Sequence, residues 1–346
     1  MIQNHRFNKT FTFEDTIQIP YMLGYVQYIT DIIFVYKYGR QSYIDYFITY
    51  DHIDSILGMP HNKNNRNCIT RISLIFVFIA MILLVIDFST WLVDLNCLMI
   101  NVYFIEVIYI VMRILTSLDI ISNCILVKYR LEAIGDILQN YYYEIDNLPG
   151  VIKDFLYDKA WSSSQDIRKS DHLDSSKTTS NSRSDIIMRL NRSYILLNEQ
   201  CDFINMKYGF RVFLICLLYL LDMVLMTNLV IRVFLGTVIL PKKSTCLAII
   251  STTAKIFSDS MVLFCGIYYC EQNYRQTERI IRIIDHILIK KKISKEIQET
   301  LRDFKSLIMS RPINYHAMNF YRLNYATIVS ISSVIVTYTI ILLQNL

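Results

Sequence analysis

Long apolar runs alternate along the chain with stretches rich in charged residues. A bilayer core of roughly 30 Å is crossed by about 20 mostly apolar helical residues. Five segments meet this requirement: Ile72–Val93, Leu98–Ile121, Phe210–Leu235, Leu247–Tyr269 and Tyr325–Leu343. A weaker sixth span, Ile17–Tyr36, carries Gln18, Gln27 and Asp31. The pattern predicts an all-α integral membrane protein.

The composition agrees with this fold class. The 346 residues are 53% hydrophobic and 19% charged, with a mean hydropathy of +0.32, which is too apolar for an ordinary soluble surface. With 8 glycines and 5 prolines, glycine-rich phosphate loops are not expected, and the first residues do not predict a cleaved signal peptide. The 8 cysteines form no C-x-x-C pair and the 6 histidines are dispersed, so neither a metal site nor a cofactor is predicted.

The distribution of lysine and arginine predicts the orientation. Eleven of these residues lie between the second and third strong spans and eleven more between Tyr269 and the last span, whereas the opposite turns contain only Lys242 and Lys243. Because positively charged loops stay in the cytosol, the long connections are expected there. The C-terminus is then expected outside the cell.

The long connections contain two kinds of sequence. Trp161–Asp185 is Ser-rich and polar, which is typical of a disordered loop. In contrast, Leu126–Ile145, Ile186–Tyr208 and Glu271–Ile308 keep apolar residues at helical spacing, which predicts membrane helices that continue into the cytosol and pack together. Solvated helices without a specific role are the alternative. The expected units are an N-terminal segment 1–71, a transmembrane hairpin 72–124, helical extensions 125–209, a second hairpin 210–270, an anchor helix 271–319 and a C-terminal helix 320–346.

Several polar residues interrupt the spans. An ionisable residue inside a span is costly, so it usually faces protein or water. Lys255 and Asp259 are four residues apart and can pair on one helix face. The sequence therefore predicts a hydrated ligand pocket that opens outward; the alternative is a set of structural pairs that fix the helix register. The candidate pocket residues are Asp87, Glu106, Tyr109, Tyr219, Asp222, Lys255 and Asp259, with Arg113 seven residues after Glu106.

The last span has hydroxyl side chains instead of charges, and an amide at its end. Thr337 and Gln344 are seven residues apart and share one helix face, and Ser330 and Ser333 lie on nearly the same stripe. Rings of such groups suit a pore seam in an oligomer, in which Ile341 would form an apolar constriction. Helix packing through small polar residues explains the same pattern.

The end of this span has the form T-Y, five mostly apolar residues, Q. The motif residues are Thr337, Tyr338 and Gln344. They resemble the signature that closes the seventh helix of insect gustatory receptors. Other stretches resemble the same family in order along the chain: Asp51–Gly58, Tyr194–Asn205, Tyr269–Glu271 and Phe304–Phe320.

The resemblance implies seven transmembrane helices with a cytosolic N-terminus, an extracellular C-terminus and a location in the plasma membrane. It implies a ligand-gated, non-selective cation channel of four subunits, identical or related, rather than an enzyme. In such a channel the last helices line the pore, a small tastant binds among the other helices, and the cytosolic extensions form an anchor. The chain departs from the family pattern at Asn345, where an aromatic residue is usual. It also shows only one span before Ile72, so the first helix is expected to be missing or degenerate.

Other functions fit less well. An odorant receptor of the same superfamily is the nearest alternative, and the T-Y…Q ending argues against it. A small-solute membrane transporter would often show internal repeats with interrupted helices, and none is visible. Enzyme motifs such as H-E-x-x-H and G-x-S-x-G are absent from the sequence, and no nucleic-acid partner is expected. Membrane lipid is expected as a partner, and the ligand class, sugar or bitter compound, stays open.

Overall fold

The computed structural model describes residues 13–38, 40–58, 63–94, 97–147, 178–235, 242–290 and 295–344. This part of the chain forms eight helices and one short antiparallel hairpin. The elements are α1 (Phe13–Tyr38), α2 (Arg40–Ile56), α3 (Lys63–Asp94), α4 (Cys97–Asn147), α5 (Thr178–Phe234), α6 (Lys242–Lys290), α7 (Lys295–Ser310), β1 (His316–Ala317), β2 (Tyr321–Arg322) and α8 (Tyr325–Gln344).

Three helices are much longer than a membrane crossing needs. Helices α4, α5 and α6 contain 51, 57 and 49 residues. At 1.5 Å per residue each measures roughly 75–85 Å, more than twice the hydrocarbon thickness. Each one therefore joins an apolar span to an amphipathic extension without a break, as the apolar spacing predicts.

The apolar spans are evident in the structure as well. Within the described residues, long apolar stretches occupy Ile69–Ile86 in α3, Ile110–Asn140 in α4 and Asp185–Asn228 in α5, and α8 carries a shorter one at Tyr325–Ile341. Large side chains on α1 and α3 point outward, including Met22, Ile33, Leu74 and Phe78. Such surfaces suit a lipid environment, in which helices satisfy their own backbone groups.

The main hydrophobic core lies where the helical extensions converge. Side chains from α2, α4, α5, α6 and α7 are fully buried there, among them Ile53, Leu131, Leu197, Ile284 and Phe304. A smaller cluster joins α3 to α4 through Ala80, Leu84, Ile110, Ile114 and Leu118. The extensions are therefore a packed bundle rather than separate solvated helices.

Helix α2 joins this bundle through polar as well as apolar contacts. Tyr46 donates a hydrogen bond of 2.8 Å to Oδ1 of Asn123 on α4. The guanidinium of Arg130 stacks 3.9 Å from the ring centre of Tyr50 and bonds Oδ2 of Asp54 at 2.8 Å. The segment Asp51–Gly58 thus belongs to the bundle.

The expectation of a single anchor helix over 271–319 is wrong. Helix α6 ends at Lys290, α7 begins at Lys295, and the β1–β2 hairpin precedes α8. Helix α7 packs back on the bundle through Ile297, Leu301, Phe304 and Ile308. Both helices are amphipathic, so apolar spacing alone does not reveal the chain reversal between them.

The predicted disordered loop 161–185 is also partly wrong. Helix α5 begins at Thr178, so residues 178–185 are helical. Extending an existing helix costs far less than starting one, and the packed residues from Ile187 onward supply the start. The rest of the predicted loop lies outside the described residues.

Candidate ligand cleft and exposed face of the last helix

An ion pair joins α4 to α5 within their apolar spans. Nη1 of Arg113 lies 3.2 Å from Oδ2 of Asp222, and the two side chains are 11% and 20% exposed. Both residues were expected near the pocket, and Arg113 was grouped with Glu106 on its own helix. The structure shows Asp222 of another helix as a partner of Arg113.

A second polar contact joins α5 to α6 beside this pair. The hydroxyl oxygens of Tyr219 and Ser260 are 3.1 Å apart. Ser260 also donates a hydrogen bond of 2.7 Å to the carbonyl of Ile256. Because a serine hydroxyl has one hydrogen to donate, Tyr219 is the donor to Ser260.

A cleft lies between α4, α5 and α6 at these contacts. Its cavity volume is about 20 Å³, which is room for about one water molecule. Its lining is mostly apolar, with Arg113, Ser117 and Tyr219 as the polar members. The other lining residues are Ile114, Ile215, Val262 and Leu263.

The remaining predicted pocket residues belong to the same helices or to α3. Glu106 and Tyr109 precede the cleft residues on α4, Lys255 and Asp259 precede them on α6, and Asp87 lies on α3. The side chains of these five residues lie outside the described part of the structure, so the wider pocket stays a prediction. Sequence analysis missed Ser260, because one hydroxyl among several on α6 carries no distinguishing signal.

A buried ion pair also fixes α1 against α5. Asp31 accepts a hydrogen bond from Nε of Arg211, and both side chains are less than 10% exposed. Gln27, one turn earlier on α1, is 1% exposed. Gln27 and Asp31 of the weak sixth span therefore face the protein rather than lipid, in agreement with the cost of charges in a membrane.

Helix α8 turns one face toward the rest of the chain and the opposite face away from it. Thr339 is 7% exposed, whereas Ser330, Ser333, Thr337 and Gln344 are exposed. At 100° per residue, Thr337 lies about 160° away from Thr339 around the helix. Ile341, on the exposed side, is 46% exposed.

The hydroxyl groups on the exposed face are bonded to the helix itself. Ser330 donates to the carbonyl of Ala326 at 2.9 Å, and Thr337 donates to the carbonyl of Ser333 at 2.8 Å. Their oxygen atoms can still accept hydrogen bonds. The side chain of Tyr338 is 54% exposed within this chain.

The segment that leads into α8 is bonded to α5 through its backbone. Tyr194 and Asn198 donate to the carbonyl of Arg311 at 3.0 and 3.2 Å. Asn205 donates to the carbonyl of Asn314 at 2.6 Å and accepts from the amide of His316 at 3.0 Å. The segment 311–316 is thus held by three side chains of α5.

The same segment is bonded to α6. Asn273 donates to the hydroxyl of Tyr315 at 2.9 Å, and the amide of Tyr315 donates to the hydroxyl of Tyr274 at 3.0 Å. Burial raises the pKa of Tyr315 well above its ordinary value, so its hydroxyl stays protonated at physiological pH. The start of α8 is therefore attached firmly to the helix bundle.

Long apolar helices that continue into a packed bundle define a multi-pass membrane protein. The family model for 7tm chemosensory receptors matches residues 1–345, so the chain belongs to the 7tm chemosensory receptor family. It is thus a multi-pass chemosensory receptor of the plasma membrane.

Solved structures share this fold. The insect olfactory receptor OR5 from Machilis hrabei aligns with a TM-score of 0.58 and 11% identity, covering 96% of this chain and 80% of that one. The same receptor in complex with eugenol aligns with a TM-score of 0.52 and 12% identity over the same shares of the two chains. No curated protein sequence matches the chain.

Proposed function

We propose that the chain is a gustatory receptor that forms a ligand-gated, non-selective cation channel of four subunits. The observation that carries this proposal is the orientation of α8. The helix has an uncharged stripe of hydroxyl and amide side chains on the side opposite Thr339, and its first residue follows a segment bonded to the bundle.

A polar stripe exposed by a membrane helix calls for a partner. Lipid tails offer no hydrogen bonds to Thr337 or Gln344, whereas other helices or water do. Four copies arranged around one axis would place these stripes together along a shared water-filled path. Amide and hydroxyl rings without net charge suit weak discrimination among cations.

The cleft between α4, α5 and α6 is the proposed ligand site. Its apolar wall and its few polar groups, Arg113, Ser117 and Tyr219, supply the kinds of contact that small organic ligands use, and the three helices would move apart to admit a ligand larger than a water molecule. The Machilis receptor was solved in complex with eugenol, which supports small-molecule binding by this fold. Asp87, Glu106, Tyr109, Lys255 and Asp259 are proposed to extend the site outward along the same helices.

The sequence of α8 favours a gustatory receptor over an odorant receptor. The residues Thr337, Tyr338 and Gln344 match the gustatory signature, and an odorant receptor would not be expected to carry it. The second candidate is an odorant receptor, favoured by the fold match to an olfactory receptor. Both candidates share the proposed channel mechanism and differ in the ligands they bind.

The channel proposal is tested by opening the pore without a ligand. Ile341→Ser should produce a resting cation leak, because a hydroxyl wets the apolar constriction. Val336→Ser is the matched control, since Val336 is 57% exposed but lies about 140° from Ile341 and 100° from Thr337 around the helix. Whole-cell recording in cells that display each variant at the surface measures the leak.

A leak from Ile341→Ser alone supports a pore lined by α8. Equal resting currents from both variants and the unmodified receptor, at equal surface levels, would contradict it.

A further inference from the structure

A groove separates α5 from α8 on the outside of the molecule. Its cavity volume is about 500 Å³, within the roughly 300–1,000 Å³ usual for ligand pockets. Along α8 it extends from Ala326 to Val334, which is roughly 12 Å at 1.5 Å per residue. Its walls are mainly apolar: Phe213, Leu217 and Leu220 on α5, and Ala326, Ile331 and Val334 on α8.

The end of the groove nearest the bundle is polar and positively charged. Tyr321, Arg322 and Asn324 line it. The guanidinium of Arg322 lies 3.8 Å from the ring centre of Tyr274, which fixes its position. Oδ1 of Asn324 accepts a hydrogen bond of 3.1 Å from the amide of Thr327, so α8 begins here and adds the positive end of its dipole.

Exposed side chains beside this end mark the level of the membrane interface. Phe320 is 73% and Met318 45% exposed on the hairpin, and the ring centres of Phe320 and Phe213 are 5.5 Å apart. Aromatic side chains concentrate where the hydrocarbon meets the headgroups. Arg322 therefore lies at headgroup level, while Ile331 and Val334 lie within the hydrocarbon.

We propose that this groove binds one anionic phospholipid, with its phosphate at Arg322 and an acyl chain between α5 and α8. The site matches both parts of a phospholipid. Arg322 lies at headgroup depth and attracts the phosphate, and the apolar groove below it accommodates an acyl chain. A zwitterionic lipid would gain less from Arg322, since anionic headgroups attract basic residues at a membrane surface.

The bound lipid would connect the two proposed functional parts of the receptor. Leu220 follows the cleft residue Tyr219 on α5, and Ser330 of the proposed pore stripe also borders the groove. A lipid that touches both helices stabilises one spacing between them.

The test measures lipid binding directly, without current. The purified full-length receptor in phosphatidylcholine nanodiscs is titrated with fluorescent phosphatidylserine, and with fluorescent phosphatidylcholine for comparison. Arg322→Gln should bind phosphatidylserine about fivefold more weakly, whereas Arg322→Lys should retain the preference. Arg302→Gln, at an exposed position on α7, is the matched control and should bind like the unmodified receptor.

Two further measurements separate the alternatives. Val334→Trp, which fills the groove, should lower binding of both lipids, and soluble glycerophosphoserine should not compete for the site. Equal binding by Arg322→Gln and Arg302→Gln would overturn the proposal. Full competition by glycerophosphoserine would show a phosphate site without an acyl chain, and disulfide-linked dimers of Leu217→Cys would show a second subunit in the groove; either result would also overturn it.

Discussion

At the scale of single residues, the ion pair between Arg113 and Asp222 is the charged contact beside the cleft. It joins α4 to α5 beside the cleft, at 11% and 20% exposure. Removing one partner of a fully buried pair costs about 3–5 kcal/mol because the other charge is left without compensation. Partial exposure of Asp222 reduces this cost.

Asp222→Asn should therefore destabilise the receptor by roughly 2–3 kcal/mol. The double variant Arg113→Gln with Asp222→Asn should recover part of the loss, because no charge is left unpaired. Thermal unfolding in detergent, followed by the fraction of monodisperse protein, measures both. A double variant less stable than Asp222→Asn would show that the pair does not act as described.

The sequence predicted which residues of this site are polar but not which of them meet. Tyr219, Asp222 and Arg113 stand out because polar groups are rare in apolar spans. Their partners depend on how α4, α5 and α6 rotate and slide against one another, and helical spacing describes one helix at a time. The contact of Tyr219 with Ser260 is for that reason a finding of the structure.

At the scale of elements, the spans were predictable and the reversals were not. Apolar runs of about 20 residues identify membrane helices directly, and five of them lie within α3, α4, α5, α6 and α8. The separation of α6 from α7 and the β1–β2 hairpin depend on contacts distant in sequence, such as the 2.5 Å bond between Lys305 and Asp285.

Packing between α5 and the hairpin allows a paired glycine test. A Cβ added at Gly209 would lie 3.3 Å from the carbonyl oxygen of His316 and the amide nitrogen of Met318, whereas one added at Gly135 would meet only side chains, at 3.7 Å or more. Alanine in a helix is about 1 kcal/mol more favourable than glycine. Met318 and Asn319 have φ of 52° and 60°, so this turn has little freedom to move.

Gly135→Ala should therefore raise the melting temperature, and Gly209→Ala should lower it or leave it unchanged. Differential scanning fluorimetry of the purified variants compares them under the same conditions. A gain in stability from Gly209→Ala equal to that from Gly135→Ala would show that the hairpin does not press against α5.

At the scale of the whole molecule, the bundle should lie in the cytosol and the C-terminus outside the cell. The prediction depends on the positively charged connections, which stay on the cytosolic side of membranes. An epitope tag after Leu346 should bind antibody on intact cells, and a tag inserted after Ser175, in the long connection, should require permeabilisation. The reverse pattern of labelling would contradict the orientation.

The central claim is that α8 lines an ion path shared by several subunits. An electron-microscopy structure of the full-length receptor in lipid nanodiscs tests it most directly. We expect four copies around one axis, with Thr337 and Gln344 of each α8 facing that axis and Thr339 facing its own subunit. A single subunit, or an assembly in which Thr337 and Gln344 face lipid, would contradict the claim.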